Sequence, residues 1–391
     1  MNYVQFSPDF PPNYYPFAAA LRGAGVTVLG VGEAPYDGLR PELCAALNEY
    51  YRVGSLHNYD ELVRALGYLT FRYGKIDRFE SHNEYWLESD ARLRVDFNIP
   101  GLHTKDLARI KRKSEMKATF LQAGVPVARG RVVRALDEAL RLVEETGYPV
   151  IAKPDVGVGA ARTYKLHSRA ELGAFFADRP FADYIFEEYI EGAIETFDGL
   201  TDQDARIVFC SSMVYNEGVM EVVNQQHDFW YAVRRSIPID LEELGRKLVK
   251  AYNVRERFFH FEFFRTPEDR LVALEVNMRP PGGLTPEMWN YANDIDIFRE
   301  YANVVAYNRF DAQVTRPYYC AYLGRRGLHT YTHSIEEILN AFPGQIVHHA
   351  PISGVFAAAI GDYGILARSP EWEEIAEMAD FILQREDGSP D

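Results

Sequence analysis

The run Leu274-Glu275-Val276-Asn277-Met278-Arg279-Pro280-Pro281-Gly282-Gly283 carries the densest chemistry in the chain. On a β-strand, side chains two apart share a face. Glu275, Asn277 and Arg279 therefore point the same way until the prolines end the strand. Two hard oxygen donors beside a guanidinium suit a magnesium–phosphate site: the oxygens hold the metal and the arginine takes phosphoryl charge. Upstream, Glu262 stands among Phe259, Phe261, Phe263 and Phe264. A carboxylate in so apolar a strand is costly unless a cation or donor compensates it. If the two strands pair, Glu262 faces Glu275 and completes a two-carboxylate metal site. His260 shares the face of Glu262, as a substrate group or a support for the metal. Taken singly, each acid also reads as an ordinary polar strand residue.

Three further segments carry possible chemistry. In Lys153-Pro154-Asp155-Val156-Gly157-Val158-Gly159, a lysine at a strand end precedes a loop of small residues. That arrangement places an ammonium and backbone N–H groups around phosphates, although such loops are often only turns. In Tyr184-Ile185-Phe186-Glu187-Glu188-Tyr189-Ile190-Glu191-Gly192, an apolar strand ends in acids and a glycine, with Glu195 and Asp198 beyond. Its backbone can read an adenine edge while a carboxylate accepts from ribose hydroxyls; a strand followed by a solvated acidic turn looks the same. Lys111, Arg112 and Lys113 concentrate positive charge on one stretch. Candidates for substrate selection are Glu84, as an amine ligand or a helix cap, and the polar group Asn224 to His227 with Arg234 and Arg235. An arginine there could hold a second carboxylate bidentately; ordinary loop polarity is the competing reading.

The surrounding elements must position these groups. With 391 residues the chain has room for two or three domains. Up to residue 81, helical patterns at 15–22, 41–50 and 59–73 alternate with short apolar strands at 26–32 and 76–81. That alternation implies an open parallel α/β sheet. No GxGxxG follows any of these strands, which disfavours a nicotinamide oxidoreductase. A basic helix is expected over 104–123, closed by Gly124-Val125-Pro126, and further helices over 135–146, 168–177 and 240–252. Strands are expected at 183–188 and across 205–235. Residues 258–264 and 271–276 should pair as antiparallel strands about a turn at 267–269.

Composition excludes several classes. Forty-two Lys and Arg against 57 Asp and Glu leave a net charge of −15, so a general nucleic-acid binder, which needs a basic face, is not expected. No run reaches the length of a transmembrane helix, and the N-terminus lacks a signal-peptide pattern. Cys44, Cys210 and Cys320 form no CxxC pair. These features favour a cytoplasmic protein with no membrane partner.

In order and spacing, the segments resemble the ATP-grasp superfamily, with the motifs concentrated between residues 113 and 283. The resemblance lies closest to the carboxylate–amine ligases, including L-amino-acid ligases, with carbamoyl-phosphate-synthase-like enzymes as cousins. It implies mixed α/β and α+β architecture: a pre-ATP-grasp α/β domain over 1–103, followed by a two-part ATP clamp over 104–190 and 191–310. Residues 311–391 would be a C-terminal α/β extension that either completes the fold or supports a homodimer. Lys113 and Lys153 resemble the family's phosphate-binding lysines, the second also a catalytic group, and Gly157 and Gly159 its glycine loop. Glu187, Glu188, Tyr189 and Ile190 resemble the adenine hinge, and Glu195 the ribose-binding acid. Glu262, Glu275 and Asn277 match the magnesium ligands, and Arg279 the arginine that contacts the transferring phosphoryl group.

The implied reaction uses ATP and magnesium, with two ions expected and manganese as a substitute. A small carboxylate becomes an acyl phosphate, and an amine then displaces phosphate. Such chemistry needs alignment and cations more than a protein nucleophile. An ATP-dependent carboxylase or carbamoyl-phosphate-type enzyme acting on bicarbonate or another small oxyacid is the nearest rival, and a catalytically silent ATP-binding protein the second. Glu84, His227, Arg234, Arg235 and His260 remain the candidates for contact with substrate.

Overall fold

A computed structural model describes residues 1–157, 162–178, 182–216 and 228–386. Its strands form three sheets among these residues.

The first sheet contains β1 (Asn2–Phe6), β2 (Thr27–Gly32), β3 (Glu49–Arg52) and β4 (Arg78–Glu80), ordered β3-β2-β1-β4 and parallel throughout. This is the expected open α/β unit. The central strands β1 and β2 are buried on both faces, as the inner strands of parallel sheets are. Val4, Phe6, Leu29 and Val31 pack toward helices Tyr59–Tyr73 and Leu87–Asp96. Tyr3 and Val28 face helix Tyr15–Gly23 and the third sheet. The helical spacing over 41–50 holds only for Pro41–Ala46, because residues 49–52 instead supply the edge strand β3. Asn48 marks the junction: its side-chain oxygen accepts from Val28 N at 2.9 Å.

The second sheet, antiparallel, contains β5 (Gly130–Val133), β6 (Val150–Pro154), β7 (Tyr164–Leu166) and β8 (Tyr184–Glu188), ordered β5-β8-β6-β7. Helices Leu136–Thr146 and Arg169–Ala177 cover one face, with Leu142, Leu172, Phe175 and Phe186 in the core between them.

The third sheet is large. It begins with β9 (Ala193–Thr201), β10 (Ile207–Ser211), β11 (Met213–Tyr215), β12 (Phe229–Val233), β13 (Phe258–Arg265) and β14 (Leu271–Asn277). Residues 311–391 add β15 (Tyr319–Arg325), β16 (Ile346–Pro351) and β17 (Tyr363–Ser369) to the same sheet. The main path runs β14-β13-β9-β11-β12-β15-β17-β16. β13 and β14 pair antiparallel as expected. Alternation along β13 divides its side chains: Phe259, Phe261 and Phe263 enter the core under helix Ile239–Tyr252, while His260 and Glu262 take the opposite face. That helix comes very close to the sheet at Gly245, where an added Cβ would lie 2.1 Å from the Phe197 ring.

Residues 193–201 correct the expected acidic turn. They form a strand buried from Ile194 onward and paired with β13 from Ala193 to Leu200. The acids Glu195 and Asp198 belong to that strand, and both are buried.

A buried ionic cluster joins the first sheet to the third. Glu80, at the end of β4, accepts from Arg94 Nη2 at 3.0 Å and from both terminal nitrogens of Arg257, whose Nη1 also donates to Met278 O at 2.8 Å. Burial works against the Glu80 carboxylate, but the two guanidinium groups outweigh it and hold its pKa at about 2. The folded pKa lies below the ordinary 4.5, so the stabilisation is complete above pH 4.5 and is lost as the pH falls toward 2. Asp90 beside it, raised to about 7 by burial, is already neutral in that window. We predict that denaturant midpoints of the native chain fall steeply between pH 4.5 and 2. Glu80→Gln should flatten that slope and cost roughly 3 kcal/mol at neutral pH by leaving Arg257 without its charge partner.

Candidate functional site

A cavity of about 1050 Å³ opens between the second and third sheets. Its lining includes Glu84, Lys113, Lys153, Glu187, Glu188, Tyr189, Ile190, His260, Glu262, Glu275, Asn277 and Arg279.

The centre is the pairing of β13 with β14. Glu262 and Glu275 are cross-strand partners in register, and His260 lies opposite Asn277. Like charges directly opposite on neighbouring strands destabilise a sheet unless cations separate them. Lys113 Nζ meets Glu275 Oε1 at 3.1 Å, and His260 Nε2 meets Glu262 Oε1 at 3.0 Å. The far side of the His260 ring is held by Asp198, 2.6 Å from Nδ1. Asp198 in turn accepts from the Thr196 hydroxyl at 2.5 Å. Burial depresses the His260 pKa, but Asp198 and Glu262 outweigh it and raise the imidazole to about 9. The same ring holds Glu262 below the usual carboxylate range against the effect of burial. Arg279 Nη2 reaches Asn277 Oδ1 at 3.5 Å and Glu84 Oε2 at 3.6 Å. Burial lifts the Glu84 carboxyl above its ordinary value, with Arg279 opposing. Two carboxylates and an amide oxygen, all hard donors on one face, form a set that a divalent cation of the magnesium type would fit.

Lys113 reaches this centre because the basic helix expected over 104–123 is broken. Arg112 has extended backbone (φ −96°, ψ 113°) between helices Leu107–Lys111 and Lys113–Gln122. The break is made by docking onto the root of the glycine loop. Arg112 bridges to Val156, its Nη1 meets Asp155 at 2.8 Å, and Lys113 N donates to Asp155 O at 2.8 Å. Asp155 also accepts from Ser114 N at 2.8 Å, at the start of the second helix. Burial works against the Lys113 ammonium, but Glu275 outweighs it and raises its pKa. Lys113 Nζ also donates to Gly157 O at 3.2 Å. Gly159 lies outside the described residues.

Lys153 extends from β6 to Glu187 on β8 at 2.6 Å, and Lys117 meets the other oxygen of that carboxylate at 2.7 Å. Burial opposes the Glu187 charge, yet the two ammonium groups outweigh it and hold the pKa at about 2. The Glu188 carboxylate is occupied by Arg129, through N at 2.6 Å and Nε at 2.7 Å. Glu188, Tyr189 and Ile190 line the cavity as the chain crosses from the second sheet to the third.

Three expected site residues are placed elsewhere. Glu195 is 3% exposed, and its oxygens accept from Arg234 Nη2 at 2.8 Å and Arg265 Nε at 3.0 Å. Strand alternation turns it away from the cavity that its neighbour Ile194 lines. Arg234 is thereby engaged in the same ion pair. Arg235 is on the surface, donating to Arg316 O and Pro370 O. His227 and residues 224–226 lie outside the described residues. Conversely, Tyr215, Phe229 and Tyr231 line the cavity without having stood out in the sequence, where aromatic strand residues read as core.

The global fold decides the comparison. Over 97% of this chain and 96% of the other, it superposes on L-amino acid ligase from Bacillus licheniformis with a TM-score of 0.74 at 14% identity. The chain has the ATP-grasp fold. An N5-carboxyaminoimidazole synthetase from Staphylococcus aureus matches 98% of this chain and 97% of its own, with a TM-score of 0.73 at 15% identity. The family model for the carbamoyl-phosphate synthase L chain, ATP binding domain, matches residues 112–179. The L-arginine-specific L-amino acid ligase of Bacillus subtilis is 24% identical over 245 residues, which cover 60% of this chain. The carbamoyl phosphate synthase large chain of Clavibacter michiganensis is 27% identical over 211 residues, covering 49% of this chain. The matched region spans 59% of the Bacillus subtilis enzyme's own length and 19% of the synthase's.

Because Glu195 is closed off by two arginines, Glu195→Gln should leave nucleotide affinity unchanged in a calorimetric titration. It should destabilise the chain by roughly 3 kcal/mol in denaturant unfolding, the usual cost of breaking a buried pair.

Proposed function

We propose that this chain is an ATP- and magnesium-dependent ligase that joins a small carboxylate to an amine and releases ADP and phosphate. One observation carries the reading: Lys113, Lys153, Glu262, Glu275, Asn277 and Arg279 converge on a single cavity bordered by the Glu188–Ile190 crossing.

The roles follow from position. The Glu188–Ile190 backbone presents hydrogen-bonding groups to the adenine. Lys153 and Lys113 hold phosphate oxygens, each exchanging its present carboxylate partner for them. Glu262, Glu275 and Asn277 would hold one or two magnesium ions, with manganese as a substitute. A bound divalent ion would supply positive charge to offset the negative charge on the phosphoryl oxygens. Arg279 places its guanidinium on the transferring group. A substrate carboxylate oxygen then attacks the terminal phosphorus, and the bond to the ADP oxygen breaks. The amine nitrogen next attacks the acyl carbon, loses a proton, and expels phosphate. Alignment and fixed charge do this work, and no protein nucleophile is required. The three free cysteines fit a reducing, cytoplasmic setting, and among the described residues no helix is long and apolar enough to cross a membrane.

The test is a screen for magnesium-dependent ADP release with amino acids and small carboxylates, singly and in pairs, bicarbonate included. A carboxylate–amine pair should release ADP and yield an amide. Release with bicarbonate alone would move the assignment to a carboxylase, and no release with any acid would move it to a silent nucleotide binder. Glu275→Ala and Asn277→Ala should each lower ADP formation by at least about 100-fold, as loss of a fixed electrostatic group does, with thermal melts retained. Undiminished turnover in both variants would overturn the metal-ligand assignment.

A further inference from the structure

Lys153 can turn to a phosphate only if Glu187 is not left alone in the cavity wall. That carboxylate is buried, and its two oxygens meet different ammonium groups. Oε2 lies 2.6 Å from Lys153 Nζ, and Oε1 lies 2.7 Å from Lys117 Nζ. The two lysines stand in different places. Lys153 lines the cavity, as do Glu187 and Ala128, whereas Lys117 sits behind that lining. Its Nζ also donates to Ala128 O, which holds it there.

Three elements build this arrangement. Lys117 follows Lys113 by four residues on helix Lys113–Gln122, so the two share a face. One reaches Glu275 and the other Glu187. On β6, Ile151 is the register partner of Glu187, and Lys153, two residues on, shares its face. On β5 the partner is Gly130, where an added Cβ would lie 2.7 Å from Glu187 Cγ. The β5 partner thus brings no side chain against the stem of the carboxylate. Among the described residues, the charged groups that face Glu187 are Lys153 and Lys117, with Lys113 further along the helix.

Breaking a buried ion pair by withdrawing one partner is strongly unfavourable, because it strands the other charge. When Lys113 leaves Glu275, the divalent ion would take its place. Glu187 is on the second sheet, across the cavity from those metal ligands on the third, so its remaining cation must come from behind it.

We propose that Lys117 is a positioning residue for nucleotide binding: it stays on Glu187 and keeps that carboxylate neutralised while Lys153 moves to the phosphates. The proposal rests on the assignment of Lys153 to phosphate in the ligase reading and supplies the group that makes the move possible. In the native chain the exchange needs no proton. Without Lys117 the stranded carboxylate has to take one up, as buried carboxyl groups without a cation do near neutral pH.

The test is a double-mutant cycle of Lys117→Met and Glu187→Gln in the full chain, read by calorimetric binding of AMP-PNP with magnesium at several pH values. Lys117→Met alone should weaken binding at least about tenfold at neutral pH. Its affinity should also fall more steeply than the native chain's between about pH 6 and 8, because proton uptake accompanies binding. In the Glu187→Gln background, Lys117→Met should change affinity by less than about threefold and add no pH slope. An equal loss in both backgrounds would overturn the proposal. So would undiminished affinity in Lys117→Met, or a loss that carries no added pH slope. If Lys117→Met alone does not fold, Lys117→Gln takes its place in the cycle. Folding of both variants only together with Glu187→Gln would also overturn the proposal, since the contact would then serve stability alone. Coupling in the cycle without ADP release from ATP by any acid and amine would overturn the ligase reading and leave the role of Lys117 standing. ADP release without coupling would do the reverse, and failure of the native chain to bind AMP-PNP would overturn both.

Discussion

Two carboxylates placed opposite each other on neighbouring strands govern this molecule. Glu262 and Glu275 face one another in register, and their repulsion must be offset from outside the pair. Every cation near them is set by a different part of the chain. Lys113 comes from a helix start, His260 from the same strand, and Arg279 from the end of β14. Each is in turn fixed by something else: Lys113 by the docking of Arg112 on Asp155, and His260 by Asp198 on β9. The site is therefore a chain of charge compensations in which each of these acids is paired with a cation.

The Glu80–Arg257 cluster performs the equivalent task at longer range. Arg257 reaches across from the start of β13 to the first sheet and, with the same group, holds the carbonyl of Met278 between Asn277 and Arg279. The position of the end of β14 thus depends on a sheet that contributes few residues to the cavity itself. The aromatic packing of Phe17 against Phe258, Phe298 and Tyr301 fixes that relation from the apolar side.

Much of this was legible in the residues, and the failures have physical causes. The β13–β14 hairpin was readable because period-two alternation and a polar turn coincide there. The parallel first sheet was readable from its β-branched runs stopped by glycine. Residues 193–201 were obscured because Glu195 and Asp198 look like a solvated turn until their partners Arg234, Arg265 and His260 are brought in from distant strands. The break at Arg112 was hidden because nothing local ends the helix; a tertiary contact to Asp155 does. Glu195 turns away from the cavity through the alternation of β9, a strand that its acidic sequence disguises. Tyr215, Phe229 and Tyr231 gave no signal, since an aromatic residue lining a cavity and one filling a core have the same sequence pattern.

The path of the third sheet has a consequence for how the chain is made. β12 finds its neighbour in β15, which is synthesised 86 residues later, counting from Val233 to Tyr319. A polypeptide emerging in order completes β9, β11, β13 and β14 while the outer edge of β12 still exposes unpaired N–H and C=O groups. Such an edge is a template for pairing with other chains, and growing polypeptides with open edges are prone to misassembly. The C-terminal strands therefore serve the rest of the sheet as a late closure, and a chain arrested before residue 319 would carry an assembled set of site strands beside an adhesive border.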